Sequence, residues 1–287
     1  MNYCLEVKNL SKAYSNSEFK LDHVSFSIPQ GCIMGFVGEN GAGKTTTISS
    51  ILNTIKPDSG SIAIFGEELT DERTDLREQI GVVFDAINFP EALTARKLAL
   101  VFRDIYRNWD DSLFQNLIRR LQVPADIAIK DLSRGMTMKL ATAVAMSHGA
   151  KLLLLDEATS GLDPIVREEM LDLFLEFVEH EEHSILMSSH ITSDLEKVAD
   201  YIVFMHKGRV ILSESKDDLM YNYGIARCKA EQFHALDQSE YVAYRKRGLQ
   251  TEVLIPDKLR FSKEHHGIIV DDVTIDEIML LLVKGDQ

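Results

Sequence analysis

Residues 38 to 45 read Gly-Glu-Asn-Gly-Ala-Gly-Lys-Thr, the pattern G-x-x-x-x-G-K-S/T of a phosphate-binding P-loop. Gly38, Gly41 and Gly43 let backbone N–H groups curl around phosphate oxygens where a Cβ would intrude. A helix starting near Lys44 aims its positive end at the same anion. The Lys44 ammonium can reach the β- and γ-phosphates, and the Thr45 hydroxyl can ligate Mg²⁺. A chance glycine-rich turn would need no particular neighbours. Here an apolar run, Cys32 to Val37, comes before the loop and a helical stretch after it, as the motif requires.

A second feature is Leu152-Leu153-Leu154-Leu155 running into Asp156-Glu157. Alone it is bland, because strands often end in acidic loops. Beside a P-loop it reads as the Walker B strand. Asp156 would hold Mg²⁺ through water, and Glu157 would polarise the attacking water as a base. Phosphoryl transfer needs charge neutralisation and in-line positioning more than covalent help.

The elements that must position these groups are legible from periodicity. Leu5 and Val7, then Val24, Phe26 and Ile28, alternate with polar residues as strands do. Cys32 to Val37 reads as a buried strand, Lys44 to about Lys56 as a helix, and Pro57 to Gly60 as a turn. Ile62 to Phe65 and Gly81 to Phe84 are strand-like. The period then changes. Leu98, Val101, Phe102 and Ile105 share one predicted helix face, and Leu113, Leu117 and Leu121 repeat the spacing, so residues from about 92 to 148 form an expected helical insert. Strand patterns return at Leu152 to Leu155, Ile185 to Met187 and Tyr201 to Met205, with a helix over Leu171 to Val178. Strands alternating with helices predict a mainly parallel α/β sheet. From residue 225 to 287 short strand patterns (241–245, 251–255, 267–270) precede a helix over about 275–283, opened by a capping box of Thr274 and Glu277. The expected division is 1–224 for the nucleotide-handling domain and 225–287 for a small α/β appendage.

Length and charge bound the rest. The chain has 287 residues, enough to bury a large core, and a formal net charge of -14. That charge argues against broad nucleic-acid binding, which needs basic patches. Cys4, Cys32 and Cys228 form no paired motif and are expected to be free thiols. No signal peptide is visible at the start, and the longest apolar runs, such as Ile278 to Val283, are too short to span a bilayer. The expectation is a soluble chain, at most docked on a membrane.

Leu132-Ser133-Arg134-Gly135-Met136, between the P-loop and the acidic strand end, resembles the signature of ABC ATPases, usually LSGGQ. Ser133 and Gly135 match; Arg134 and Met136 depart. Ser160-Gly161-Leu162-Asp163 resembles the D-loop, His190 stands where the family places its switch histidine, and Tyr14 where it places the aromatic that stacks on adenine. The resemblance extends from residue 1 to about 220 in motif order and spacing. It implies the P-loop NTPase fold of the ABC type with a helical subdomain, and ATP and Mg²⁺ as cofactors. It implies nucleotide contacts from Gly38, Glu39, Asn40, Gly41, Ala42, Gly43, Lys44, Thr45 and Thr46, and catalysis by Glu157, His190 and Lys44. It implies a head-to-tail pair of ATPase subunits, identical or different, in which Ser133 to Met136 contact the ATP of the partner subunit. It further implies a separate integral-membrane permease, no nucleic acid, and a cytoplasmic place on the inner face of the membrane. The chain resembles bacterial ATPases paired with separately encoded permeases of the ABC-2 type, including exporters of peptides or antimicrobial compounds. One departure stands out: Asp85 occupies the position where the family usually has the Q-loop glutamine. Unlike glutamine, an ionised carboxylate only accepts hydrogen bonds. It is expected to join Thr45 and Asp156 at the metal. A rival reading is a non-transport ABC ATPase acting on nucleic acid or ribosomes. The chain lacks the coiled-coil insertions, cysteine-rich insertions and second ATPase domain that such members carry.

Overall fold

Three sheets organise the chain in the computed structural model, which describes residues 2–86 and 89–286. β1 (Tyr3–Ala13) and β2 (Lys20–Pro29) pair antiparallel. β3 (Ile33–Val37) enters a second sheet and runs into α1 (Lys44–Ile51). β4 (Ser59–Ile64) and β5 (Glu67–Glu68) return to the first sheet, in the order β2-β1-β4-β5. After α2 (Thr74–Arg77), β6 (Ile80–Phe84) joins the second sheet. Then come α3 (Ala95–Ile105), α4 (Asp111–Arg120) and α5 (Arg134–Met146). The second sheet resumes through β7 (Leu152–Asp156), α6 (Pro164–Val178), β8 (Ser184–Ser189), α7 (Thr192–Val198), β9 (Tyr201–His206) and β10 (Arg209–Ser215). Its order is β10-β9-β3-β8-β7-β6, parallel except for the edge strand β10. Every residue of β3, β7 and β8 is buried, which is why these strands are continuous apolar runs and do not alternate.

α8 (Lys216–Asn222) leads to the third sheet. It contains β11 (Gly224–Cys228), β12 (Ala243–Arg247), β13 (Gln250–Ile255) and β14 (Ile269–Asp271), in the order β12-β13-β11-β14. α9 (Ala230–His234), α10 (Lys258–Glu264) and α11 (Ile275–Lys284) complete it. The Thr274–Glu277 capping box is formed, with the Glu277 N–H donating to Thr274 Oγ1 at 3.2 Å and the Thr274 N–H to Glu277 Oε2 at 3.0 Å. Ile275, Ile278, Leu281 and Leu282 of α11 pack into the same core as Leu195, Val198 and Leu219 of α7 and α8. The Ile275 N–H also donates to Glu196 Oε1 at 2.9 Å. The C-terminal unit is therefore cemented to the body of its own chain.

Local expectations fail in three places. α1 stops at Ile51, well short of Lys56: Asn53 takes the left-handed φ of 56°, and the N–H groups of both Thr54 and Ile55 turn back to Ser49 O. α3 buries Ala95, Leu98 and Ala99, whereas Val101 and Ile105, predicted to share a face with Leu98, are exposed. β12 begins at Ala243, two residues later than its pattern suggested, because a short 3-10 turn over Gln238–Glu240 precedes it.

Candidate functional site

The parallel register brings four loops to one edge of the second sheet. Val37 lies opposite Ser189, Asp156 opposite Ser188, and Phe84 opposite Asp156. The residues that follow these strand ends are the P-loop, His190, Glu157 and Asp85. Ligand sites at the carboxyl ends of parallel strands arise in this way.

A cleft of about 240 Å³ lies there, lined by Asn40 to Thr46, Glu157 and Phe19. Gly43, at the start of α1, has φ 112°; a Cβ there would come within 2.7 Å of Leu21 and 3.1 Å of the Phe19 ring. Lys44 is buried and its ammonium donates to Gly38 O at 2.7 Å, with Glu39 O at 3.4 Å. Burial pulls its pKa below the usual lysine value, opposed by the charges of Glu157, Asp156 and Glu39. Gly38 and Glu39 thus contribute carbonyls that hold Lys44, and the Glu39 carboxylate turns to His206, 3.0 Å away.

Glu157 lies between Lys44 and His190. Its Oε1 is 3.8 Å from Lys44 Nζ, and its Oε2 is 2.5 Å from His190 Nδ1. An ionised carboxylate only accepts, so Nδ1 is the protonated ring nitrogen. Glu157 adopts φ 57°, unusual for a residue with a Cβ, and its N–H donates to Ser188 O at 3.1 Å. The register of β7 and β8 over-determines this bend, as strained site residues require. Asp156 is buried, and the Ser188 hydroxyl donates to its Oδ1 at 2.6 Å, leaving Oδ2 for another partner. Thr45 is exposed at the first turn of α1. The donors at this end of the cleft are hydroxyl and carboxylate oxygens, a set that suits Mg²⁺.

Ser133 caps α5, its hydroxyl accepting from the Met136 N–H at 3.2 Å. It lines a second cleft of about 370 Å³, with Arg134, Gly135, Met136, Gly161, Leu162 and Asp163 among its walls. Asp163 caps α6, accepting from the N–H groups of Ile165 and Val166 at 3.1 Å each. The two clefts share no lining residue. The P-loop and the Ser133–Met136 turn therefore line separate clefts on one chain.

Two of the expected site residues have neighbours that the sequence did not indicate. Asp85 is not among the residues lining the P-loop cleft, and its carboxylate is paired with the Arg134 guanidinium. The aromatic lining the cleft is Phe19, and Tyr14 stands beside it with ring centroids 6.4 Å apart. Phe19 went unnoticed because it follows a polar turn, Ser15 to Glu18, with no motif around it. An aromatic interrupting that polar run was the available signal.

A family model described as ABC transporter matches residues 21–160. The chain is 36% identical over 215 residues to the bacitracin transport ATP-binding protein BcrA of Bacillus licheniformis, covering 74% of this chain and 69% of that one. It is 33% identical over 216 residues to the lantibiotic transport ATP-binding protein SrtF of Streptococcus pyogenes, covering 74% and 91%. Among solved structures, the ATP-binding subunit of an ABC transporter superposes with a TM-score of 0.68 at 30% identity, over 75% of this chain and 91% of that one. An ATP-binding cassette solved as a post-hydrolysis dimer with ADP and Pi gives a TM-score of 0.66 at 23% identity, over 74% and 98%, a likeness of fold alone.

Proposed function

Since this chain belongs to the ABC transporter family as an ATP-binding, ATP-hydrolysing subunit, we propose that it powers export of a peptide or antimicrobial compound through a separate integral-membrane permease. The relatives named for bacitracin and lantibiotic transport support the cargo class. Among the described residues no helix is long and apolar enough to cross a membrane, which is in keeping with a separately encoded channel. On this reading the subunit sits at the inner face of the membrane, bound to that permease. Residues 1–224 form its ATPase unit and 225–287 an accessory unit.

The observation that carries the reading is Glu157, held between Lys44 and His190 at the mouth of the P-loop cleft. The P-loop N–H groups and Lys44 bind the phosphates of ATP. Thr45 and Asp156 would hold Mg²⁺, which neutralises phosphate charge when bound. Glu157 accepts the proton of the attacking water. His190, donating from Nδ1, keeps the accepting carboxylate in place. The two separate clefts support pairing with a second ATPase subunit, whose Ser133-type turn would close over the P-loop cleft.

Glu157→Gln tests this. The amide keeps the size of the side chain and removes the base, so turnover should fall by about 10²–10⁴-fold while ATP still binds. Trapped ATP should then raise the mass in light scattering to that of a dimer. Near-normal hydrolysis by the purified variant would refute the assignment.

A further inference from the structure

Arg134 and Asp85 both depart from the family pattern, and the fold brings them together across 49 residues of sequence. The same Arg134 Nη2 that pairs with Asp85 donates to Ser160 O at 3.0 Å. The guanidinium lies over Gly161, where a Cβ would stand 3.2 Å from Arg134 Nε and where φ is 68°. One side chain thus ties the loop after β6, the first turn of α5 and the turn before α6. Both partners are about half-exposed, at 51% each.

We propose that Asp85 and Arg134 are a mutually dependent pair of positioning residues. The acid after β6 is there to hold the signature arginine. The arginine in turn fixes the Ser133 turn and the Ser160–Asp163 turn as one surface facing the second ATPase subunit. This rests on the ATPase reading above. The pair acts on the γ-phosphate end of the partner's site through that surface, and on its own P-loop not at all. Losing either member therefore impairs the reaction step and leaves nucleotide affinity intact. Losing both costs no more than losing one, because residues in one contact are not additive.

Full-length wild type, Asp85→Asn, Arg134→Gln and the double variant form the test. Hydrogen exchange of segments 132–137 and 159–163, in protein without nucleotide, reads the clasp independently of turnover. Each single variant should speed exchange in both segments, and the double should add nothing. In steady-state hydrolysis each single should lower kcat about two- to fivefold, the range open to an exposed ion pair. KM for ATP should stay unchanged, and the double should match the worse single. The Mg²⁺ concentration that half-saturates nucleotide binding should be equal in wild type and Asp85→Asn. Unchanged exchange, multiplying effects in the double, a raised KM or a shifted Mg²⁺ requirement would each overturn the proposal. Absence of hydrolysis by wild type would instead defeat the ATPase reading, and the exchange data would still judge the clasp.

Discussion

Ile278→Ala should destabilise the whole chain and not merely its C-terminal unit. Ile278 is fully buried on α11, in one continuous core with Leu195, Val198, Leu254 and Ile225. The substitution removes three carbon groups, worth about 0.8 kcal/mol each in transfer free energy, roughly 2.4 kcal/mol together. The cavity left in a close-packed site raises the loss to about 3–4 kcal/mol. For a chain of this size a loss of 1 kcal/mol lowers Tm by about 2–4 °C, so a fall of roughly 6–16 °C is expected. The assay can separate local from global effects because the chain has a single tryptophan. Trp109 packs against the α3–α5 core, a different cluster from that of Ile278. Circular dichroism follows the whole fold, and Trp109 fluorescence follows only the helical region. If the shared core makes unfolding cooperative, both transitions move together by the same amount. An unmoved Trp109 transition, with an early loss of part of the dichroism, would refute the reasoning and show that residues from Gly224 onward unfold by themselves.

Phe19→Ala should weaken ATP binding about two- to tenfold, the worth of an aromatic contact, while Tyr14→Ala should do less; titration with a fluorescent ATP analogue compares them. Ser188→Ala removes the hydroxyl that orients Asp156 and should raise the Mg²⁺ requirement for nucleotide binding about tenfold, read by calorimetric titration of ATP at several Mg²⁺ concentrations. Glu252 lies almost buried, 2.7 Å from Arg245 and 3.3 Å from Arg247. Burial would raise its pKa, but the hydrogen bonds and charges of those arginines hold it below the ordinary glutamate value. Its contribution is therefore present above the unfolded value, about 4.3, and is lost as pH falls through the lower folded value. Urea unfolding should show Glu252→Gln about 1.5–3 kcal/mol less stable at neutral pH, the worth of hydrogen bonds to a charged group, with the gap to wild type narrowing in acid.

Much of the site is written locally in the chain. The P-loop needs only glycines and a lysine within eight residues, and its cradle follows from backbone geometry. The buried strands β3, β7 and β8 announce themselves because both faces of a central parallel strand are covered. The Thr274–Glu277 box and the α11 face are likewise matters of three- and four-residue spacing. Other features required the tertiary structure. Phe19 reaches the cleft because β1 and β2 fold their connecting turn against Gly43. Val101 and Ile105 have helical spacing yet face outward, because periodicity marks a common face without saying what covers it. The sequence places Asp85 at the Q-loop position after Gly81 to Phe84, but its carboxylate pairs with Arg134, which lies 49 residues away in sequence and beside it in space. The joining of the C-terminal sheet to the body likewise depends on which surfaces α7 and α8 leave for α11. Short-range hydrogen bonding and periodicity belong to a segment by itself. Charge pairing and core sharing belong to surfaces that exist only once distant segments have packed.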